Sequence, residues 1–204
     1  MAIYLIRHGE TAGNATLVVQ KPDIPLSPHG IDQARRLARR LTGEGIGQIL
    51  SSDLTRAAMT AEAVRETTGA PICYDALLHE RNFGDIRGTP YAELDFDLFA
   101  PDYEPPGGES WERFEARMDE AWALIQRTAG ECEETLAVIT HGLVCRSVVA
   151  RRTRLPEGVD PDLRGLAWRN TSVTILDGPD PWRVRLLNCS AHLDEAEPHE
   201  GGAV

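Results

Sequence analysis

Lysine is almost missing from this 204-residue chain: Lys21 is the single one, and every other basic residue is an arginine. That scarcity removes several kinds of chemistry. A Walker phosphate loop needs Gly-Lys-Ser/Thr and a Schiff-base enzyme needs a buried amine; Lys21, set in Gln-Lys-Pro, supplies neither. Cysteine is sparse too. Cys73, Cys132, Cys145 and Cys189 stand far apart, with no C-x-x-C pair and no zinc-ligand spacing, so they read as reduced and mostly buried thiols. No uncharged run approaches the roughly 20 residues of a membrane-spanning helix. The apolar stretch from Ala2 to Ile6 is shorter than a signal-peptide core. A cytoplasmic protein with no membrane partner is the expectation. Positive charge is outweighed overall, since 32 acids against 21 bases leave a formal net charge of −11. Such a surface repels a phosphate backbone, and nucleic acid is not expected as a partner.

What is present is the patterning of a folded domain. Apolar residues make up 42% and charged residues 26%, a mix that suits a packed core and not a disordered chain. The length suits a single domain over 1–193, followed by an acidic, glycine-ended tail at 194–204 expected to be mobile. Ile3 to Ile6, Ile46 to Leu50 and Leu136 to Thr140 read as buried strands, and Pro71 to Tyr74 as an edge strand that offers a surface for a homodimer. Ser27-Pro28 opens a helix whose apolar face is Ile31, Ala34, Leu37, Ala38 and Leu41. Ser52 or Asp53 is expected to cap a second helix ending near Gly69, and Ser110 a long third one exiting at Gly130. A further helix opens at Gly142, and Ser172 to Leu176 with Trp182 to Leu187 reads as a hairpin. Strands alternating with helices predict an α/β fold of three layers: a mostly parallel mixed sheet with helices on both faces. Residues 84–110 lack a clean period, and 85–115 read as a cap-like insertion.

Two segments rhyme. Ile3-Tyr-Leu-Ile-Arg-His8-Gly9 and Leu136-Ala-Val-Ile-Thr-His141-Gly142 each end a predicted strand with His-Gly. In open α/β sheets, ligands gather beyond the carboxyl ends of the strands, so both histidines fall on that rim. Arg56 follows the strand at Ile46 to Leu50 and joins them there. Arg7, His8, Arg56 and His141 then surround one spot with cationic or donating groups, and a helix starting at Gly142 points free N–H groups inward. This suits a tetrahedral dianion such as a phosphoryl group. A zinc site is the rival. It is disfavoured because Arg7 would repel a divalent cation and no H-x-H or H-E-x-x-H spacing occurs.

Leu5-Ile-Arg-His-Gly-Glu-Thr-Ala-Gly-Asn14 resembles the R-H-G-x(4)-N signature of the histidine phosphatase (phosphoglycerate mutase-like) superfamily. Leu26-Ser-Pro-His-Gly30, Ser51-Ser-Asp-Leu-Thr-Arg56, His79-Glu80-Arg-Asn-Phe-Gly84, Thr140-His141-Gly142 and Asn170-Thr-Ser172 match its later blocks in order, so the resemblance spans residues 3 to 193. It implies phosphohistidine chemistry without metal or other cofactor, acting on a small-molecule phosphomonoester. By the resemblance His8 is the nucleophile, with Arg7, Arg56 and His141 balancing the phosphoryl charge. Glu80 is the general acid and base, with Asp85 and Glu109 as lesser candidates. Asn14, Gly9 and Gly142 are expected at the substrate. Ser110 is either a helix cap or a further phosphate contact. His29, His79, His192 and His199 share no motif with this centre and are expected at the surface or in supporting positions.

The family divides between mutases and phosphatases, and the segment after the acid is expected to decide. Residues 89–112 hold Glu93, Asp95, Asp97, Asp102, Glu104, Glu109 and Glu112 and no lysine or arginine, with Arg87, Arg113 and Arg117 flanking them. Like charges close together disfavour a polyanionic substrate, so hydrolysis of a phosphomonoester with a neutral or hydrophobic organic part is the expectation. A mutase-type transfer and a catalytically weak docking module stay open as alternatives. Phe83, Tyr91, Phe96, Phe99, Tyr103, Trp111 and Phe114 crowd the same region, either packing the cap down or lining a leaving-group pocket.

Overall fold

The computed structural model describes residues 1–194; the tail expected to be mobile therefore lies outside the described residues from 195 onward. Six strands form one sheet: β1 (Ala2–Arg7), β2 (Ile46–Ser51), β3 (Ile72–Tyr74), β4 (Thr135–Thr140), β5 (Val173–Asp177) and β6 (Arg183–Cys189). Their spatial order is β3-β2-β4-β1-β5-β6. The first four run parallel, while β5 is antiparallel to β1 and β6 to β5, which closes the predicted hairpin.

Alternation along the central strands explains why helices cover both faces. Ile3, Leu5, Leu136 and Val138 point into one core with α4 (Trp111–Glu131) and α5 (Gly142–Arg152). Tyr4, Ile6, Ala137 and Ile139 point into the other, against α2 (Pro28–Leu41) and α3 (Thr55–Thr68). A strand buried on both faces must be apolar throughout, which is why these runs show no polar alternation. The short α1 (Ala12–Ala15) follows β1.

Ser27 caps α2 by accepting from the Gly30 N–H, with Pro28 in the first helical turn, and Ser110 caps α4 by accepting from the Arg113 N–H. Gly69 ends α3 in the left-handed region at φ 73°. Two expectations fail. Neither Ser52 nor Asp53 caps α3: its cap position is Leu54, without a side-chain bond, because the Ser52 hydroxyl turns to His141 instead. α4 does not exit at Gly130 but continues to Glu131. The four thiols are free, yet only Cys145 is buried; Cys73 is exposed on the edge strand β3 and the other two are half-buried.

The loop after β1 is locked onto α2 through two glycines. A Cβ on Gly9 would lie 2.6 Å from the Gly30 carbonyl oxygen, and one on Gly30 would overlap the Glu10 carbonyl. Gly130 by contrast has open space around it. Gly30→Ala is therefore expected to destabilise the fold by about 1–3 kcal/mol through backbone displacement. Gly130→Ala is expected to stabilise it by roughly 0.5–1 kcal/mol, as in any exposed helix. Thermal unfolding of the two variants beside wild type checks the opposite signs.

Candidate active site

Sheet register brings the two His-Gly segments together. β1 and β4 are neighbours paired Arg7 to Thr140, so the next residues, His8 and His141, leave the sheet side by side. The His8 N–H donates to the Thr140 carbonyl at 2.9 Å, and the two rings meet edge to face with centroids 5.1 Å apart. β2 lies on the other side of β4 and delivers Ser52 and the start of α3, whose second residue is the buried Arg56. Three adjacent parallel strands thus deliver the predicted groups to one end of the sheet.

Hydrogen bonds fix the protonation of His8. Its Nδ1 lies 2.6 Å from the Gly9 carbonyl, which only accepts, so Nδ1 carries the hydrogen. Nε2 is left with a lone pair and accepts from Arg56 Nε at 3.3 Å. Burial, reinforced by the charges of Arg56 and Arg7, holds the His8 imidazole well below its ordinary pKa, so the ring is neutral. The backbone is held as firmly: the His8 carbonyl accepts from Asn170 Nδ2 at 3.0 Å and from the Thr171 N–H at 3.2 Å.

His141 is fully buried and, for the same reason with Arg56 and His8 as neighbours, is held well below its ordinary pKa. Its Nε2 lies 2.9 Å from the Ser52 hydroxyl, which itself accepts from the Leu54 N–H at 3.3 Å. With no other acceptor for its proton among the described residues, the hydroxyl donates to Nε2, and the ring's own hydrogen falls to Nδ1. Among the described residues that Nδ1 is buried without a partner, as is Arg7 Nε. Two orphaned buried donors near the His8 ring are what a bound tetrahedral anion would satisfy. Arg7 is otherwise steadied by the Trp168 carbonyl, and Arg56 by the Lys21 carbonyl at 3.1 Å. Burial lowers the Arg56 pKa to about 10, against the opposing pull of Glu80, so the guanidinium stays charged at neutral pH.

A cavity of about 890 Å³ is lined by Arg7, His8, Asn14, Arg56, Glu80 and Gly142 among others; His141, fully buried, is not part of its lining and meets the site at the His8 ring. Glu80 is held by both oxygens, Oε1 accepting from the Arg81 N–H at 3.0 Å and Oε2 from the Leu143 N–H at 3.2 Å in the first turn of α5. Asn14 Oδ1 accepts from the Thr11 N–H and from Asn170 Nδ2, leaving its own Nδ2 for the cavity. Two of the expected substrate contacts are elsewhere. Gly9 does not line the cavity and serves His8 through its carbonyl, while Ser110 is occupied as the α4 cap. Glu109 is no acid candidate either: Arg117 grips both its oxygens at 2.8 Å, the Asn82 N–H adds a third bond, and these hold its pKa low despite burial. Asp85 does not line the cavity. Among the described residues no group of three His, Cys, Asp or Glu side chains is arranged to hold a metal ion.

A family model described as histidine phosphatase superfamily (branch 1) matches residues 3–190. The chain belongs to the histidine phosphatase superfamily. It is 33% identical over 209 residues to phosphoglycerate mutase-like protein 4 of Arabidopsis thaliana, covering 95% of this chain and 87% of that protein. Among solved structures, Bacillus stearothermophilus YhfR superposes with a TM-score of 0.80 at 30% identity, covering 94% of this chain and 98% of its own. A mycobacterial glucosyl-3-phosphoglycerate phosphatase, solved in complex with VO3, gives 0.78 at 28% identity, covering 92% and 98%. No described helix of this superfamily member is long and apolar enough to cross a membrane.

The peripheral histidines sort as surface or support. His29 is exposed and His79 pairs with Asp53. His192 is buried, bridging Arg40 and the hydroxyl of Thr171, whose N–H holds the His8 carbonyl, and burial takes its pKa to about 4. His199 lies outside the described residues. Sequence reasoning did not single out Ser52 as the partner of His141, Asn170 as the brace of His8, or Trp168 as the acceptor for Arg7. Asn170 carried a signal, because it belongs to a motif block of the family.

The acids of residues 89–112 do not wall the cavity as expected. Of the seven acids only Asp97 lines the cavity; six of the seven are exposed, and Glu109 is held by Arg117. Arg81, Arg87, Arg146 and Arg164 line the cavity instead, so its wall is cationic. The aromatics divide. Phe83, Tyr91 and Phe99 face the cavity, whereas Phe96 stacks on Tyr103 and Trp111 packs under Arg81, whose guanidinium lies 3.9 Å from the ring centroid.

Proposed function

We propose that this protein is a metal-independent phosphomonoester hydrolase that passes the phosphoryl group of a small metabolite through His8. The observation that carries the reading is the neutral His8 with Nδ1 bound to the Gly9 carbonyl and Nε2 free to attack, beside the partnerless Arg7 Nε and His141 Nδ1. The phosphatase chemistry named for the mycobacterial neighbour points the same way.

In the first step Nε2 forms a bond to phosphorus while the bond from phosphorus to the ester oxygen breaks, and Glu80 gives that oxygen its proton. Arg56 moves its donor from Nε2 to an equatorial oxygen, where Arg7, His141 and Asn14 share the charge. The alcohol leaves. Water then attacks phosphorus, Glu80 takes its proton, the N–P bond breaks, and orthophosphate departs with His8 neutral again. Charge is balanced throughout by side chains, so no step calls for a metal ion.

The test is turnover of p-nitrophenyl phosphate by wild type in EDTA, with rapid quenching under alkaline conditions and mass spectrometry. Undiminished rate and a labile phosphate on the peptide containing His8 are expected. The low pKa of His8 sets the sign of the acid side of the profile. Protonation, which removes the lone pair, occurs only well below the ordinary imidazole value, so the group responsible for any loss of kcat/KM near pH 6.5 is not His8. Activity lost to chelator, or phosphate found on another residue, overturns the reading. Product analysis with labelled phosphate separates hydrolysis from mutase-type return of the group to substrate.

A further inference from the structure

Glu109 is held too acidic to serve as the proton donor, yet it is bound to the segment that carries one. It follows the Pro105-Pro-Gly-Gly108 loop, and Arg117 lies near the start of α4. Their side chains, 14% and 18% exposed, meet through both carboxylate oxygens at 2.8 Å. A guanidinium forked onto a carboxylate is the strong and directional form of an ion pair.

The pair grips the backbone on either side of Glu80. Arg117 Nη1 donates to the Leu77 carbonyl at 2.7 Å and to the His79 carbonyl at 2.9 Å, and Nη2 reaches the Glu80 carbonyl at 3.5 Å. Glu109 Oε2 accepts from the Asn82 N–H at 2.8 Å, while the Glu109 N–H donates to the Asn82 carbonyl at 2.8 Å. Between these anchors lies the Arg81 N–H, the donor that holds Glu80 Oε1. Glycine lets the two stretches of loop come this close: a Cβ on Gly108 would lie 2.4 Å from the Asn82 carbonyl oxygen, and one on Gly84 2.0 Å from that of Pro106.

Stability alone gives little reason for such a device. A largely buried ion pair returns little against the apolar residues that could replace it, because its charges must first be stripped of water. What it supplies is geometry, since a rigid fork of donors fixes several carbonyls relative to one another. The two charges also cancel, so the segment is held without a net charge set beside Glu80. The other ion pair on this segment, His79 with Asp53, has side chains 33% and 55% exposed and is of the kind that contributes little.

We infer that Glu109 and Arg117 are positioning residues for the acid: their ion pair fixes the backbone from Leu77 to Asn82 so that the Glu80 carboxyl stands where the departing oxygen takes its proton. The inference rests on the reading of Glu80 as acid and base, and it adds two residues that do not line the cavity.

The experiment compares kcat/KM for p-nitrophenyl phosphate, whose leaving group departs without a proton, with kcat/KM for butyl phosphate, whose leaving group needs one. This parameter covers the steps up to departure of the alcohol, where only the second substrate depends on the acid. Arg117→Met keeps the apolar stem and loses the fork. It is expected to lower the value for butyl phosphate by about tenfold or more, part of the roughly 10²–10⁴ of an intact acid, and that for p-nitrophenyl phosphate by less than about threefold. Glu109→Gln is expected to shift the ratio the same way, and Arg117→Lys, a charge without a fork, to fall between Arg117→Met and wild type. Added to Glu80→Gln, Arg117→Met is expected to change the ratio no further, because a positioning residue acts only through the group it positions. Thermal unfolding shows which variants are folded, and Arg117→Lys carries the comparison if Arg117→Met is not. Equal losses on both substrates in folded variants overturn the inference and make the pair a support for the fold, as does a change in ratio that adds to that of Glu80→Gln. Failure of the underlying reading shows differently: Glu80→Gln alone then leaves the ratio of the two substrates unchanged, and the inference falls with it.

Discussion

His8→Ala is expected to lower kcat/KM toward p-nitrophenyl phosphate by at least about a hundredfold, the usual consequence of deleting an essential nucleophile or base, and to remove the labile phosphate from the protein. The size follows from how completely the surroundings serve this one ring. Gly9 holds its proton on Nδ1, Asn170 and Thr171 hold its carbonyl, and Arg56 points at its Nε2. None of these neighbours offers a second nucleophile. His141, the other imidazole, is fully buried, has its Nε2 on Ser52 and does not line the cavity, so it cannot take over. Deleting the ring also leaves Arg56 Nε without its acceptor in a buried place, and a modest loss of stability accompanies the loss of activity. Thermal unfolding separates the two effects. A variant that stays folded and keeps more than a tenth of wild-type turnover would mean that phosphate passes directly to water.

Much of this arrangement is legible in the residues before any coordinates. The repeated strand-His-Gly segments put both imidazoles on one rim, because a buried parallel strand leaves its next residue at the carboxyl end of the sheet. Ile3 and Leu5 against Tyr4 and Ile6 show why such strands need helices on both sides. What the chain does not announce is orientation where no period operates. Residues 84–110 form only short 3-10 turns, Gly84–Ile86 and Tyr91–Glu93, joined by irregular backbone. An acid there is as free to face solvent as the cavity, and nearly all face solvent. Arg146 is hidden for another reason: among the arginines of a helix, only the placement of α5 beside Glu80 distinguishes the one that faces the cavity. Ser110 shows a local rule prevailing, since a serine before a helix satisfies the orphan N–H groups at hand before it can reach a ligand.

Glu80→Gln carries the second large expected effect, and its pattern is more informative than its size. Both carboxylate oxygens accept backbone N–H groups, from Arg81 and Leu143. An amide keeps one of those bonds and turns an NH2 toward the other donor, so the side chain stays at its post with some loss of stability. What disappears is proton transfer, and a decrease in turnover of about 10²–10⁴ is expected. The decrease has two parts because Glu80 acts twice in the proposed cycle. Departure of an alkoxide needs its proton, whereas p-nitrophenolate leaves without one, so phosphorylation of His8 slows far more with alkyl phosphates. Attack by water needs the base whatever the substrate was. With p-nitrophenyl phosphate the variant is therefore expected to release a burst of nitrophenolate equal to the enzyme present, then stall with phosphate held on His8. Rapid-quench measurement of the burst, and the phosphate content of the stalled protein, check this directly. An alkyl phosphate should give no burst. Equal loss on both substrates without a burst would remove Glu80 from both proton transfers and leave it as an anchor for the first turn of α5.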